Sequence, residues 1–192
     1  PTPSPSPTPV AVTQTISGDL MQWHKITLSL TGLSSSETAE TNPFTDYNFE
    51  VTFSQGGETV TVPGYFAACA DAQDSGCSEG SYWRAHFAPP MTGTWDYEVS
   101  FTTGTDVAIL GGGTAVSNLD GLTGSFDITA SNKTGRDFRA PGNGRLSYTG
   151  ERYLTFSDGR PFFKIGSSSP ENTLAYEDFD ATPNRGGRLK SW

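Results

Sequence analysis

Hydrophobic and polar residues alternate along much of the chain, which is the pattern of half-buried β-strands. The clearest case is the stretch 82–101, YWRAHFAPPMTGTWDYEVSF, in which Pro and Gly residues separate two alternating segments. The apolar phases of these segments consist of Trp83, Ala85 and Phe87, and of Trp95, Tyr97, Val99 and Phe101. We predict two strands joined by a tight turn, which form the central hairpin of a β-sandwich with both tryptophans in its core.

The same alternation occurs in four further stretches, QWHKITLSLTG from Gln22, DYNFEVTF from Asp46, TVTVPGYFAA from Thr59 and GLTGSFDITAS from Gly121. Turn residues such as Gln55-Gly56-Gly57 separate these short strands, and no long helical periodicity is present. The sequence therefore predicts an all-β protein, an immunoglobulin-like antiparallel β-sandwich with an extended C-terminal hairpin and tail.

The two ends of the chain differ in composition from the alternating region. Residues 1–9, PTPSPSPTP, predict a stiff, extended spacer, which is typical of secreted proteins with several modules and implies a longer parent chain. We predict three parts: a Pro/Ser/Thr-rich linker at 1–17, the sandwich at 18–131, and, at 132–192, a linker, a hairpin with a type I′ turn at Asp158-Gly159 and an irregular tail.

Composition and charge exclude two classes of partner. The formal net charge is −9, and an acidic surface repels nucleic acid. The same charge argues against a heavily sulfated polysaccharide, unless basic residues cluster. No apolar run approaches the ~20 residues that span a bilayer, so we expect no membrane partner. We expect a monomer.

The two cysteines, Cys69 and Cys77, enclose a short polar loop. One interpretation is a disulfide formed in an oxidising compartment, and the other is a pair of free thiols in the cytosol. We favour the disulfide and a secreted protein. Two cysteines without suitably spaced histidines cannot complete a zinc site.

The order of these motifs resembles a known arrangement. WHKITLSLTG, NPFTDYNFEVTF, VPGYF, YWRAHFAPPMTGTWDYEV and GLTGSFDI together resemble the N-terminal immunoglobulin-like domain, of uncertain function, that precedes (β/α)8-barrel glycoside hydrolases. The family's aromatic-Pro-turn-Gly-x-Trp-x-Tyr pattern matches Phe87, Pro89, Gly93, Trp95 and Tyr97. RYLTFSDGRPFFKIG resembles the hairpin that leads from this domain into the barrel, and SPENTLAYEDFD resembles an early loop of the barrel. A barrel of about 250 residues does not fit in this chain, so no catalytic residue is carried over.

Carboxylates provide the only candidates for catalysis or metal binding. Glu177, Asp178 and Asp180 are neighbours in the tail, whereas a glycosidase needs two carboxylates on opposite sides of a sugar-sized cleft. We interpret them as a solvated acidic run. Calcium is an alternative for these three residues, and also for Asp71, Asp74 and Glu79 in the cysteine loop, because calcium binds several carboxylate oxygens. The metal ligands remain unknown, and no other cofactor is expected.

Because the sequence offers no convincing catalytic site, sugar binding is the function that remains. It needs exposed aromatic rings beside polar groups. The candidates expected outside the core are Tyr65, Phe66, Tyr82, Arg84, His86 and Trp23, with Trp192 as a further one. The alternatives are an ordinary polar sheet face, and for Trp23 a ring that covers a sheet edge or packs against a later segment.

We therefore predict a non-catalytic polysaccharide-binding module of a secreted glycoside hydrolase with several modules, not an enzyme itself. A galactan or another algal or plant wall polymer is the expected ligand. The alternative is a structural domain that packs against the catalytic barrel of the same parent chain and stabilises it without binding sugar.

Overall fold

A computed structural model describes residues 11–163 of the chain and the backbone of residues 176–177 and 188–189. The predicted spacer at 1–9 and the tail residues Asp178, Asp180 and Trp192 lie outside the described residues, and of Glu177 only the backbone is described.

Short strands make up most of the described chain. In chain order the elements are β1 (Thr13–Gly18), β2 (Ile26–Thr31), β3 (Ser35–Ser36), β4 (Tyr47–Gln55), β5 (Glu58–Ala68), α1 (Ala72–Ser75), β6 (Glu79–Gly80), β7 (Tyr82–Phe87), β8 (Gly93–Thr103), α2 (Val107–Leu110), β9 (Thr114–Ala115), β10 (Thr123–Ile128), β11 (Ser147–Tyr148), β12 (Leu154–Thr155), β13 (Pro161–Phe162), β14 (Tyr176–Glu177) and β15 (Arg188–Leu189). The named strands pair antiparallel.

The main strands are hydrogen-bonded in the order β1-β2-β7-β5-β4-β8-β10, and β9 adds to β8. Strand β5 belongs to both layers, because residues 58–63 pair with β4 and residues 64–68 pair with β7. This divides the strands into a β1-β2-β7-β5 layer and a β5-β4-β8-β10 layer extended by β9, and apart from the first half of β5 and the short β9 the order is that of an immunoglobulin sandwich of four strands over three. The predicted all-β antiparallel sandwich is confirmed.

The predicted pairing of the stretch 82–101 is wrong. Strand β7 lies between β2 and β5, whereas β8 lies between β4 and β10, so the two strands belong to opposite layers. Residues 88–92 form a connection across the sandwich, and the indole Nε1 of Trp95 donates to the Met91 carbonyl at 3.1 Å within it. Alternation identifies the inward face of a strand, but it carries no information about which strand lies beside it.

The core contains the residues that alternation predicts. Ile26, Leu28 and Leu30 of β2, Phe49, Val51 and Phe53 of β4, and both Trp83 and Trp95 are buried. Aromatic rings from the two layers meet in the middle, as the stacked Phe53–Phe87 pair shows, with ring centroids 4.4 Å apart. At the point where β5 changes layers, Gly64 lies against the Phe49 ring so closely that a Cβ atom there would overlap it.

The predicted linker at 1–17 extends too far into the chain. Residues 13–18 form β1, which pairs with β2 from Thr13↔Thr31 to Gly18↔Ile26. The last proline of the spacer is Pro9, so every backbone N–H of β1 remains available for the ladder. The partly buried Ile16 packs against the core.

The C-terminal hairpin is present, but its turn is not type I′. β12 pairs with β13 through Leu154↔Phe162 and Thr155↔Pro161. Gly159 has a φ of 84°, whereas Asp158 does not adopt the positive φ that a type I′ turn requires at both central positions. The hairpin loop is therefore longer, and the Phe156 N–H donates to the Arg160 carbonyl at 2.9 Å.

In the described residues, no helix has the length and apolar character needed to cross a membrane.

Candidate functional site

The outer face of the β1-β2-β7-β5 layer carries four of the predicted sugar-binding residues. Tyr82, Arg84 and His86 alternate with buried residues along β7 and lie outward. Tyr65 of β5 is the cross-strand partner of Arg84, and its side chain is 43% exposed. Ser29 of β2 is the other partner of Arg84, so hydroxyl groups flank this row.

His86 is held by hydrogen bonds at both ring nitrogens. Nδ1 lies 2.9 Å from the Thr27 hydroxyl, and Nε2 lies 3.0 Å from the Tyr65 hydroxyl. Partial burial and the positive charges of Lys25 and Arg84 lower the pKa of His86 below its ordinary value. The imidazole is therefore neutral at neutral pH and serves to orient the Tyr65 ring.

Arg84 and Tyr82 face the cysteine loop. The guanidinium of Arg84 donates to the Ala70 carbonyl and lies 5.7 Å from the centre of the Tyr82 ring. Both side chains are half-buried. This arrangement holds the loop against the sheet and leaves less of the two side chains free for a ligand.

Phe66 is not an exposed stacking ring. It is 5% exposed and packs against Trp83 with ring centroids 5.0 Å apart. Because Tyr65 lies outward, its neighbour in the strand lies inward, so the two residues cannot both belong to one outer surface. The prediction for Phe66 is wrong.

The cysteine loop is closed by the predicted disulfide between Cys69 and Cys77, whose Cα atoms are 6.4 Å apart. Within residues 11–163, no three His, Cys, Asp or Glu side chains come together as metal ligands. The predicted calcium set of Asp71, Asp74 and Glu79 is therefore not assembled. The Asp71 carbonyl instead accepts a hydrogen bond from the Ser75 hydroxyl at 3.0 Å.

Trp23 and His24 lie in a turn before β2, although the sequence predicts a strand from Gln22. Trp23 has a φ of 65° and packs against Gly144, so it contacts a later segment, as the alternative interpretation proposes. His24 is buried and lies 2.8 Å from the Asp19 carboxylate and 3.2 Å from the Ser131 hydroxyl. His24 thus fixes the turn that places Trp23.

A cleft of about 500 Å³ lies between this turn, the sandwich and residues 138–145. Trp23 and Phe138 provide large aromatic rings, and the Phe138 side chain is 51% exposed. The apolar lining from the sandwich consists of Val60, Val62, Phe87, Ala88 and Pro90. The polar lining consists of Thr61, His86, Arg139 and Arg145. Two of the predicted residues, Trp23 and His86, therefore meet in this cleft.

Asn143 holds the cleft's outer segment in place. It is buried, and its Nδ2 donates to the carbonyls of Gly135 and Asp137. The backbone carbonyl of Asn143 accepts a hydrogen bond from the Ser157 hydroxyl at 2.8 Å, which connects the segment to the C-terminal hairpin. These contacts order a stretch that the sequence predicts as a linker.

Arg139 and Arg145 were not among the sequence candidates, although an aromatic residue among several arginines in RDFRAPGNGR is a usable signal. Arg139 makes a bidentate pair with Asp137, with Nε–Oδ1 at 3.0 Å and Nη2–Oδ2 at 2.8 Å. This pairing holds the pKa of the Asp137 carboxyl well below its usual range. Arg145 makes no side-chain hydrogen bond or ion pair to other described residues.

Comparisons with known proteins found similarity to one family model and to a solved structure. Residues 19–102 match a family model described as "Domain of unknown function (DUF5060)". This match covers less than half of the chain and extends from the turn before β2 into β8. No curated protein sequence matches the chain.

One solved structure is similar, a crystal structure of a proposed glycoside hydrolase from Bacteroides vulgatus ATCC 8482. The alignment has 21% identity and a TM-score of 0.46, and covers 80% of this chain. The chain spans 25% of the length of that protein.

Proposed function

We propose that this chain is a non-catalytic accessory domain of a secreted glycoside hydrolase and binds a polysaccharide in the cleft between Trp23 and Phe138. The observation that carries the proposal is a cleft of about 500 Å³ that combines two large aromatic rings with polar side chains along its lining. This volume falls within the range of about 300–1,000 Å³ that small-molecule sites occupy. The disulfide supports an oxidising compartment.

The chemistry of the lining fits a sugar. A pyranose ring presents C–H groups on its faces, which stack on flat aromatic rings, and hydroxyls at its edge, which need hydrogen-bond partners. Phe138 offers the exposed ring, while Thr61 and Arg145 offer polar groups in the same cleft. The outer face with Tyr65 adjoins the cleft through His86, which extends the surface available to a longer polymer.

Replacement of Phe138 by alanine is expected to weaken polysaccharide binding by about tenfold, because truncating a central aromatic anchor typically costs more than 1 kcal/mol. Phe138→Tyr retains the ring and is expected to bind nearly as well. The measurement is calorimetry or affinity electrophoresis against neutral and acidic plant and algal wall polymers. The matched control is Tyr148→Ala, which removes an exposed ring outside the cleft. Absence of binding to every polymer would contradict the proposal.

A second candidate is a bracing role against a following domain of the parent chain. Large apolar side chains are exposed around the small sheet of β11, β12 and β13, namely Tyr148, Tyr153, Leu154 and Phe163. Exposed apolar patches of this kind mark interaction surfaces. The resemblance of RYLTFSDGRPFFKIG to a hairpin that leads into a barrel favours the same role.

The bracing role predicts that Tyr148→Ser combined with Leu154→Ser lowers the melting temperature of the full parent protein. The same pair of changes is expected to leave the melting temperature of the isolated chain almost unchanged, since both side chains are exposed there. Thermal unfolding of both proteins measures the difference. An equal melting temperature for the parent protein with and without the changes would argue against bracing.

A further inference from the structure

Basic residues are concentrated in one part of the chain. Residues 132–163 contain six basic side chains, Lys133, Arg136, Arg139, Arg145, Arg152 and Arg160. The sandwich at 18–131 contains only Lys25 and Arg84, against many acidic residues. Although the protein has an acidic net charge, residues 132–163 form a basic segment, and this segment contacts the acidic sandwich.

The cleft lies where this basic segment meets the sandwich. Arg139 and Arg145 line it, whereas the described lining contains neither Asp nor Glu. His86 also lines the cleft, and partial burial together with the charges of Lys25 and Arg84 lowers the pKa of its imidazole. The charged side chains of the described lining are thus basic, and Asp137 offsets the charge of Arg139 but not that of Arg145.

The two arginines differ in how they are held. Asp137 accepts from Nε and Nη2 of Arg139, which fixes that guanidinium, and three of its five N–H donors have no partner in the described part of the chain. Arg145 makes no side-chain hydrogen bond or ion pair to the rest of residues 11–163. A guanidinium that has no partner among residues 11–163 and lies at the edge of an apolar cleft is suited to a bidentate contact with a planar or tetrahedral anion.

We propose that the cleft selects sugars that carry an acidic group, and that Arg145 binds this group while Trp23 and Phe138 contact the ring. This inference rests on the proposed polysaccharide binding and adds the ligand class. Carboxylate and sulfate share the required chemistry, since both present oxygens that accept two N–H bonds from one guanidinium.

The test compares binding of the whole chain to charged and neutral forms of the same polymer by calorimetry. The probes are polygalacturonate and a sulfated carrageenan, each beside its own uncharged form after carboxyl reduction or desulfation. We expect at least tenfold tighter binding to an acidic polymer than to its uncharged form, and this preference should fall as NaCl increases. The polymer that loses more affinity when its acidic groups are removed identifies carboxylate or sulfate as the preferred group.

Arg145→Gln is expected to remove the preference for the acidic polymer, and Arg145→Lys to restore part of it. Arg152→Gln is the matched control, because this exposed arginine lies in the same segment but does not line the cleft. Equal binding of acidic and uncharged polymers would overturn this inference but not the proposed function, whereas no binding of any polymer would overturn both. Equal losses of affinity for the acidic polymer in Arg145→Gln and Arg152→Gln would also overturn the inference, since they would show that any positive charge in the segment attracts the polymer.

Discussion

Replacement of Trp83 by alanine is expected to lower the free energy of unfolding by about 3–5 kcal/mol, the usual cost of removing a large aromatic side chain from a core. Trp83 is 1% exposed and lies between the layers, with ring centroids 4.9 Å from Phe101 and 5.3 Å from Tyr47. Its Nε1 also donates to the Leu33 carbonyl at 3.0 Å, so the substitution leaves a carbonyl without its partner. Small domains are stable by only about 5–15 kcal/mol, so this loss is a large share of the total.

Urea unfolding measures the effect of Trp83→Ala. The matched control is Tyr148→Ala, which removes a ring that is 74% exposed and should change stability by no more than about 0.5 kcal/mol. Similar losses in the two variants would contradict the packing of β7 against the opposite layer.

The double variant Cys69→Ser, Cys77→Ser is expected to have a free energy of unfolding about 2–3 kcal/mol lower than the wild-type protein. The disulfide closes a short loop, and the chain-entropy estimate for a loop of this length has that size. The loop also packs against the sheet through the contact between Arg84 and the Ala70 carbonyl, so its release is expected to loosen the Tyr82 end of the outer face as well.

Thermal unfolding with and without dithiothreitol tests the disulfide. The wild-type protein should melt at a lower temperature in the reductant, whereas the double variant should melt at the same temperature in both conditions. A wild-type melting temperature that does not respond to complete reduction, verified by thiol titration, would show that the bridge adds no stability.

The candidate site was less predictable than the core because its parts are far apart in the sequence. Trp23 comes from the turn before β2, His86 from β7, and Phe138 and Arg145 from a segment that composition alone assigns to a linker. Alternation places Tyr82, Arg84 and His86 outward, as the structure shows. Alternation does not reveal that the Arg84 guanidinium donates a hydrogen bond to the Ala70 carbonyl in the cysteine loop.

The sequence by itself determined the all-β class and the inward phase of most strands, and it favoured the pairing of the two cysteines. These properties depend on local chemistry: a side chain's direction follows from its position in the strand, and a short loop brings its two ends together. Only the tertiary structure decided that β7 and β8 lie in opposite layers, that Phe66 is buried, and that the segment at 138–145 closes a cleft over Trp23. These properties depend on contacts between distant parts of the chain, because the choice of a strand's neighbour is made by the packing of whole layers and not by the residues of that strand alone.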